Sequence, residues 1–244
     1  MKLSNKLNLP DSVYQAIAND GYTKGNSHFS VTELLKPSRQ WALLQNHGDE
    51  IVEDVSDRIW ALYGKMGHKL FEDSSSKNEL VETRFFVDIL GYKVSGQIDN
   101  LELKSGILSD YKFTSSWGFM ANRPPKEEWI AQLNMQRYLL ELHKYPIRRL
   151  QIIGLLRDWQ INEANKNPDY PQTPITVMPI PFWTMDQTES FMEERVESHV
   201  RALQELPKCA DKDLWIRKGK YTRCENYCSV SKFCDQFKHT KGDQ

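Results

Sequence analysis

The segment from Val81 to Phe113, VETRFFVDILGYKVSGQIDNLELKSGILSDYKF, constrains the fold more than any other part of the chain. Apolar and β-branched residues run through it in three stretches: Val81 to Leu90, Lys93 to Leu103 and Ile107 to Phe113. Gly91 divides the first two, and Lys104, Ser105 and Gly106 divide the last two. Such stretches joined by tight reversals predict three antiparallel strands. Side chains two apart in a strand share a face, so Asp110 and Lys112 project together. If the second reversal centres near Ser105, Asp99 lies across from Asp110 to Lys112, within about one residue of register. Two carboxylates and an ammonium gathered there suit a divalent ion beside a phosphodiester.

The flanking sequence predicts helices. Asp11 can cap a short helix through Ala18 that ends near Gly21. SVTELLKPSRQWALLQ, from Ser30, reads as a helical turn, a break at Pro37 and a second helix. From Glu50 to Glu72, the residues Ile51, Val55, Ile59, Leu62, Met66 and Leu70 recur at helical spacing, which predicts one amphipathic helix. Lys126 to Lys144 predicts another, with Trp129, Leu133, Gln136 and Leu140 on one face. Arg149 to Trp159 reads as a strand, Asn162 to Thr173 as a polar loop, and Ile175 to Trp183 as a strand that Pro179 and Pro181 confine to an edge. Asp186 to Leu206 predicts a long helix capped by Asp186. This order implies an α/β sandwich with a mixed sheet.

A chain of 244 residues suffices for one large domain, or a domain with an appendage. The division expected is 1–206 for the main domain and 207–244 for a C-terminal segment packed on it. No stretch approaches the roughly 20 apolar residues that span a bilayer, and the N-terminus lacks the apolar run of a signal peptide. A soluble, cytoplasmic protein is therefore expected. Charge is nearly balanced at -1 but unevenly placed. Between Lys208 and Gln244 nine Lys and Arg face five Asp and Glu, a net of +4, which leaves -5 for the remainder. All four cysteines, Cys209, Cys224, Cys228 and Cys234, fall in that basic segment. Clustered cysteines in a reducing compartment suggest a metal or cluster site rather than disulfides.

Taken together, these residues resemble the RecB-like branch of the PD-(D/E)XK nuclease superfamily, close to phage-type exonucleases and CRISPR-associated RecB-like nucleases. SVTELLKP resembles that branch's N-terminal motif, and GKMGHKLFE its Gly-x-x-His helix, which makes His68 a metal ligand. Glu82 matches the acidic residue before the core. GQID matches the first acidic motif, with Asp99 as ligand, and DYK matches the D/E-x-K core, with Asp110 and Lys112. QLNMQRYLL resembles the Gln-x-x-x-Tyr helix beginning at Gln132. Two departures stand out. Gln136 occupies the position of the motif's tyrosine, with Tyr138 two residues on, and the N-terminal motif lacks the cysteine found in CRISPR-associated relatives.

The resemblance implies a PD-(D/E)XK, restriction-endonuclease-like core: a mixed central sheet flanked by helices, with a Cys-rich C-terminus. It implies Mg²⁺ or Mn²⁺ held by Asp99, Asp110, the Tyr111 carbonyl and His68. Lys112 would orient or activate water, Glu82 would bind a second ion or orient a water, and Gln132 would hold the substrate or the Lys112 amine. The four cysteines suit a [4Fe–4S] cluster, which the resemblance favours; Zn²⁺ and unliganded thiols are the alternatives. Trp215, Tyr221, Tyr227 and Phe233 alternate with basic residues there, a composition that stacks single-strand bases or packs around the cluster. The function implied is an exonuclease acting on DNA ends or single strands in recombination, repair or phage DNA processing. The setting would be a cell's cytoplasm, that of the host if phage-encoded. No nucleotide-binding motif is present, so unwinding would need a recombination or helicase partner. The alternative is a catalytically silent nuclease-fold subunit that binds DNA or assembles with other proteins.

Overall fold

The three predicted strands form and pair in the expected order in the computed structural model, which describes residues 2–19, 21 and 23–242, with side chains through Lys238. The strands are β1 (Lys2–Ser4), β2 (Phe29–Ser30), β3 (Val52–Asp54), β4 (Glu79–Ile89), β5 (Tyr92–Glu102), β6 (Ile107–Thr114), β7 (Arg149–Leu156), β8 (Ile175–Ile180), β9 (Ile216–Arg217) and β10 (Lys220–Tyr221). The helices are α1 (Asp11–Ala18), α2 (Val31–Leu34), α3 (Ser38–His47), α4 (Ile59–Asp73), α5 (Glu127–Leu142), α6 (Ile161–Lys166), α7 (Met185–Glu205), α8 (Asp211–Leu214), α9 (Thr222–Asn226) and α10 (Asp235–Gly242). No helix among the described residues is long and apolar enough to cross a membrane.

The main sheet is mixed and six-stranded, in the order β2-β5-β6-β7-β8 with β4 also on β5. β6 and β7 run parallel, while β5 with β6 and β7 with β8 run antiparallel. β8 carries Pro179 and closes one side, the edge position its prolines predict. The far edge of β5 is laddered with β4 except at Glu82 and Asp99, and its near edge is shared. Residues Asn100 to Glu102 pair with β6, and Val94 and Ser95 pair with β2. Between them, residues 96–99 have no strand partner on that side, so the sheet forks there. α5 fills the fork. A Cβ on Gly96 would sit 3.2 Å from the Leu139 and Val31 side chains, so α5 and α2 pack tightly against this glycine.

α5 is held between the sheet and α7, with Leu133, Met135, Leu139 and Leu140 nearly fully buried beside Met192 and Val196. α4 covers the Tyr111 and Phe113 side of β6, where Phe71 meets both rings. A Cβ on Gly67 would lie 1.8 Å from the Phe113 ring, so glycine is obligatory at that contact.

Local structure departs from the sequence reading in several places. The helix expected from Glu50 begins only at Ile59. Val52 to Asp54 instead pair in parallel with Lys2 to Ser4, and the Asp54 carboxylate gathers Ser4, Ser56 and the Lys6 N–H to start a 3₁₀ turn at Val55–Arg58. Ile51 and Val55 are buried, yet Met66 and Leu70 are exposed and no α4 residue is fully buried. The helical spacing across that boundary therefore came from two different elements. Pro10, not Asp11, is the N-cap of α1. Thr184 with Gln187, not Asp186, forms the capping box of α7. Ile161–Lys166 is a helical turn inside the expected loop. β7 ends at Leu156 and β8 at Ile180, each three residues short of the expected end.

The C-terminal segment docks on α3 through a second, smaller core of Leu43, Ile51, Val230 and Cys234. Phe233 stacks on His47 with ring centres 4.2 Å apart. The Arg39 guanidinium joins α3 to this segment through the Leu206 carbonyl (2.7 Å), Cys234 Sγ (3.2 Å) and the Asp235 carboxylate.

Candidate active site

The fork in the sheet opens into a cleft of about 260 Å³, and every predicted catalytic residue lines it. The β5–β6 register pairs Asn100 with Ser109, so Asp99 and Asp110 face one another where the strands part. The Asp99 carboxylate accepts the Tyr111 N–H at 2.7 Å and so replaces a ladder bond with a side-chain bond. The N–H and C=O of a strand residue leave from the same edge, so the Tyr111 carbonyl also looks toward β5.

Glu82 reaches the cleft through a break in the β4–β5 ladder. Val81 pairs with Asn100 and Thr83 with Ile98, but Glu82 and Asp99 between them are unpaired. Glu82 adopts φ 45°, a left-handed conformation that costs a non-glycine residue roughly 1–2 kcal/mol. Ile98 and Leu101 both belong to the main core although three positions apart, which strict alternation forbids. A phase slip at the break accounts for both observations. Strain of this kind persists only where the surrounding structure enforces it, and it concentrates at functional sites.

Each polar group has defined partners. His68 Nδ1 meets Glu82 Oε1 at 2.7 Å, and since the carboxylate only accepts, Nδ1 carries the proton. His68 Nε2 lies 3.8 Å from Asp99 Oδ2, too far for a hydrogen bond. The other Glu82 oxygen accepts from Gln97 Nε2 at 2.6 Å, and Arg84 bonds Gln97 Oε1 at 2.6 Å and Ser95 at 3.1 Å. On the far wall Lys112 Nζ is 2.7 Å from Asp110 Oδ2 and donates to Gln132 Oε1 at 3.2 Å. Gln132 Nε2 donates to Asp110 Oδ1 at 2.7 Å. Asp110 Oδ2 is buried and has the Lys112 ion pair but no aligned hydrogen bond.

Electrostatics follow from this crowding. Burial and the neighbouring Asp110 push the Asp99 carboxyl up to about 7. Burial would lower His68, but the Glu82 bond and the charges of Asp99 and Asp110 outweigh it and raise its pKa. Burial would likewise lower Lys112, yet Asp110 and Asp99 raise it. Lys112 thus stands as a cation among the carboxylates. The donor set fits a hard divalent ion: His68, Glu82 and Asp99 offer ligand atoms within 4.8 Å of one another, and Asp110 adds a buried carboxylate. Glu82 has both oxygens engaged, so its position is that of a group orienting His68, as carboxylates behind ligating histidines do.

Gln97, Arg84 and Gln136 also line the cleft, although the sequence reading gave them no role there. Gln97 lies two residues before Asp99 on one strand, and Gln136 lies four after Gln132 on one helix; both spacings carried the signal. Gln136 donates to the Gln97 carbonyl at 2.8 Å, filling the fork where the expected tyrosine would stand. Tyr138 is buried outside this cleft, and the neighbouring Glu189 together with burial raises its pKa.

The four cysteines line a second pocket together with Arg39, Leu43, Tyr221 and Phe237. All are free thiols. Burial pushes Cys209 up to about 12 and Cys224 up to about 11, and it raises Cys228. Of the aromatic residues in this segment, Tyr221 and Phe233 are used in packing, whereas Trp215 and Tyr227 face solvent.

No protein-family model and no curated protein matches this chain. Among solved structures it is similar to SSO0001, known from a crystal structure. That similarity spans 91% of this chain and 94% of the other, with a TM-score of 0.58 and 16% identity. What is shared at that identity is the fold, a mixed α/β architecture whose mixed central sheet is flanked by helices.

Proposed function

We propose that this chain is a metal-dependent deoxyribonuclease with a PD-(D/E)XK core of the RecB-like type, acting as an exonuclease on DNA ends or single strands. One observation carries the reading: a helix histidine, two facing aspartates, a lysine two residues beyond the second and a helix glutamine converge on a single cleft. Asp99, Asp110, the Tyr111 carbonyl and His68 would hold Mg²⁺ or Mn²⁺. Such an ion, when bound, acidifies a water and neutralises the scissile phosphate. Glu82 fixes the His68 tautomer that leaves Nε2 facing Asp99. Lys112, pinned between Asp110 and Gln132, is positioned to orient the attacking water and to counter charge developing on the phosphate. Gln132 bridges the aspartate and the lysine and keeps both in place.

The cysteine pocket would hold a [4Fe–4S] cluster on its four thiolates, with Zn²⁺ as the alternative. Its role would be structural.

The test uses end-labelled linear and circular DNA, single- and double-stranded, with Mn²⁺, Mg²⁺ or EDTA, beside Asp110→Ala. Metal-dependent loss of linear DNA by the wild type alone supports an exonuclease, and cutting of circles would change the reading to an endonuclease. Binding without cutting in any metal would leave a silent nuclease-fold subunit.

A further inference from the structure

Three tryptophans are exposed, Trp60, Trp117 and Trp215, and each has an arginine guanidinium against its ring. The Arg157 guanidinium lies 3.7 Å from the Trp60 ring centre, and Arg123 lies 3.7 Å from that of Trp117. Arg223 lies 4.8 Å from Trp215, while also facing Asp213 at 4.0 Å. Arg217 of the C-terminal segment also lies 5.7 Å from the Trp117 ring centre.

Local bonds join the first two of these pairs into one surface. The Arg157 N–H donates to the Thr114 carbonyl at 3.0 Å, and the Ser116 N–H donates to Asp158 Oδ1 at 2.6 Å. The turns that follow β6 and β7 are therefore tied together, with Trp117 on one and Arg157 on the other. Trp117 lies in the turn that follows β6, the strand carrying Asp110 and Lys112, and Trp60 lies on α4, which carries His68. Trp117 stands five residues beyond Lys112, and Trp60 precedes His68 by eight residues on α4, roughly 12 Å along the helix.

We propose that Trp60, Trp117 and Trp215, with Arg157, Arg123 and Arg217, form a track that binds single-stranded nucleic acid by base stacking and delivers it to the cleft. A guanidinium on one side holds each ring rigid and leaves area for a base, and the cations neutralise phosphates. Stacking requires exposed base faces, which a duplex hides. This substrate class rests on the nuclease reading above.

The experiment measures binding of fluorescein-labelled oligo(dT) and of a blunt duplex in EDTA, so that nothing is cut. The proteins are the full chain, Trp60→Ala, Trp117→Ala, the double variant and Trp117→Tyr. Each alanine variant is expected to weaken oligo(dT) binding by about fivefold or more, consistent with stacking of one base. Trp117→Tyr retains most of the binding, duplex binding is unchanged, and the melting temperature stays within a few degrees. Unchanged oligo(dT) affinity in the double variant overturns the track, as does equal loss of duplex binding. Should the alanine variants unfold, Arg123→Gln with Arg157→Gln reads the same surface and must lose oligo(dT) affinity. A wild type that never cuts DNA would sink the nuclease reading but leave this binding result standing.

Discussion

The two candidate sites are organised in opposite ways. In the cleft, the positions of His68, Glu82, Asp110, Lys112 and Gln132 are set by strands, long helices and a closed series of hydrogen bonds. The fold makes the site before any ion arrives. The cysteine pocket sits in elements of two to eight residues, held by a small core and by Arg39. Its sulfurs take hydrogen bonds from Arg39 at Cys234 and from the Val230 N–H at Cys228. There a bound group would organise the fold, as metals do in small domains that lack an adequate core. Removing the ligand should therefore silence the first site and melt the second.

The largest effect expected is on chemistry at the cleft. Asp99→Asn should reduce metal-dependent cleavage by three orders of magnitude or more, measured as initial rate on labelled single strands. Its melting temperature should hold or rise, because the substitution relieves repulsion against Asp110 and removes a buried charge. A large fall in melting temperature would show that the cleft depends on its charges for folding.

Next in size is the loss of order at the other site. Cys228→Ser should abolish the visible absorbance of the anaerobically purified protein and expose the segment beyond Lys208 to trypsin, while Mn²⁺ binding at the cleft persists. Protection of that segment without any bound group would break the contrast.

The seam between the regions carries a smaller, pH-dependent effect. His199 is fully buried, with Nε2 donating to the Glu33 carbonyl and Nδ1 accepting from Ser38. Burial, helped by the Arg195 charge, lowers it from 6.5 to about 4. The folded state thus binds fewer protons than the unfolded chain. Stability is complete above pH 6.5 and declines as pH falls toward 4, by up to about 3 kcal/mol. Denaturant midpoints across that range should show the slope, and His199→Asn should flatten it.

The smallest effect sharpens the cleft's geometry. Gly67→Ala forces a methyl into the Phe113 ring and should cost about 1–3 kcal/mol. By shifting α4 it should also weaken Mn²⁺ affinity, and Phe113→Leu in the same chain should restore part of both. A neutral Gly67→Ala would mean that α4 moves freely and His68 is not fixed by that contact.

Much of the cleft was legible because its signals are short-range. Asp110 and Lys112 share a strand face two residues apart, Gln132 sits on an apolar-patterned helix, and the reversal before Ile107 brings Asp99 opposite. The orienting role of Glu82 was not legible, since it depends on a ladder break and a left-handed residue that no local pattern announces. The early start assigned to α4 failed because Ile51 and Val55 are apolar for reasons of other packing. β1, β2 and β3 escaped notice because strands of two or three residues carry no periodicity. The cysteines were legible as a cluster in sequence. Their convergence on one pocket, with α3 contributing Arg39 rather than a thiol, required the fold.

The most direct test of the central claim is cleavage of linear single-stranded DNA by the wild type and by Lys112→Met at saturating Mn²⁺, with Mn²⁺ binding measured on both. Methionine keeps much of the side chain's volume and removes only the ammonium. The expected result is cleavage by the wild type, a loss of three or more orders of magnitude in the variant, and Mn²⁺ bound by both. Equal cleavage by the variant, or none by the wild type in any metal, would contradict a hydrolytic site built around Asp99, Asp110 and Lys112.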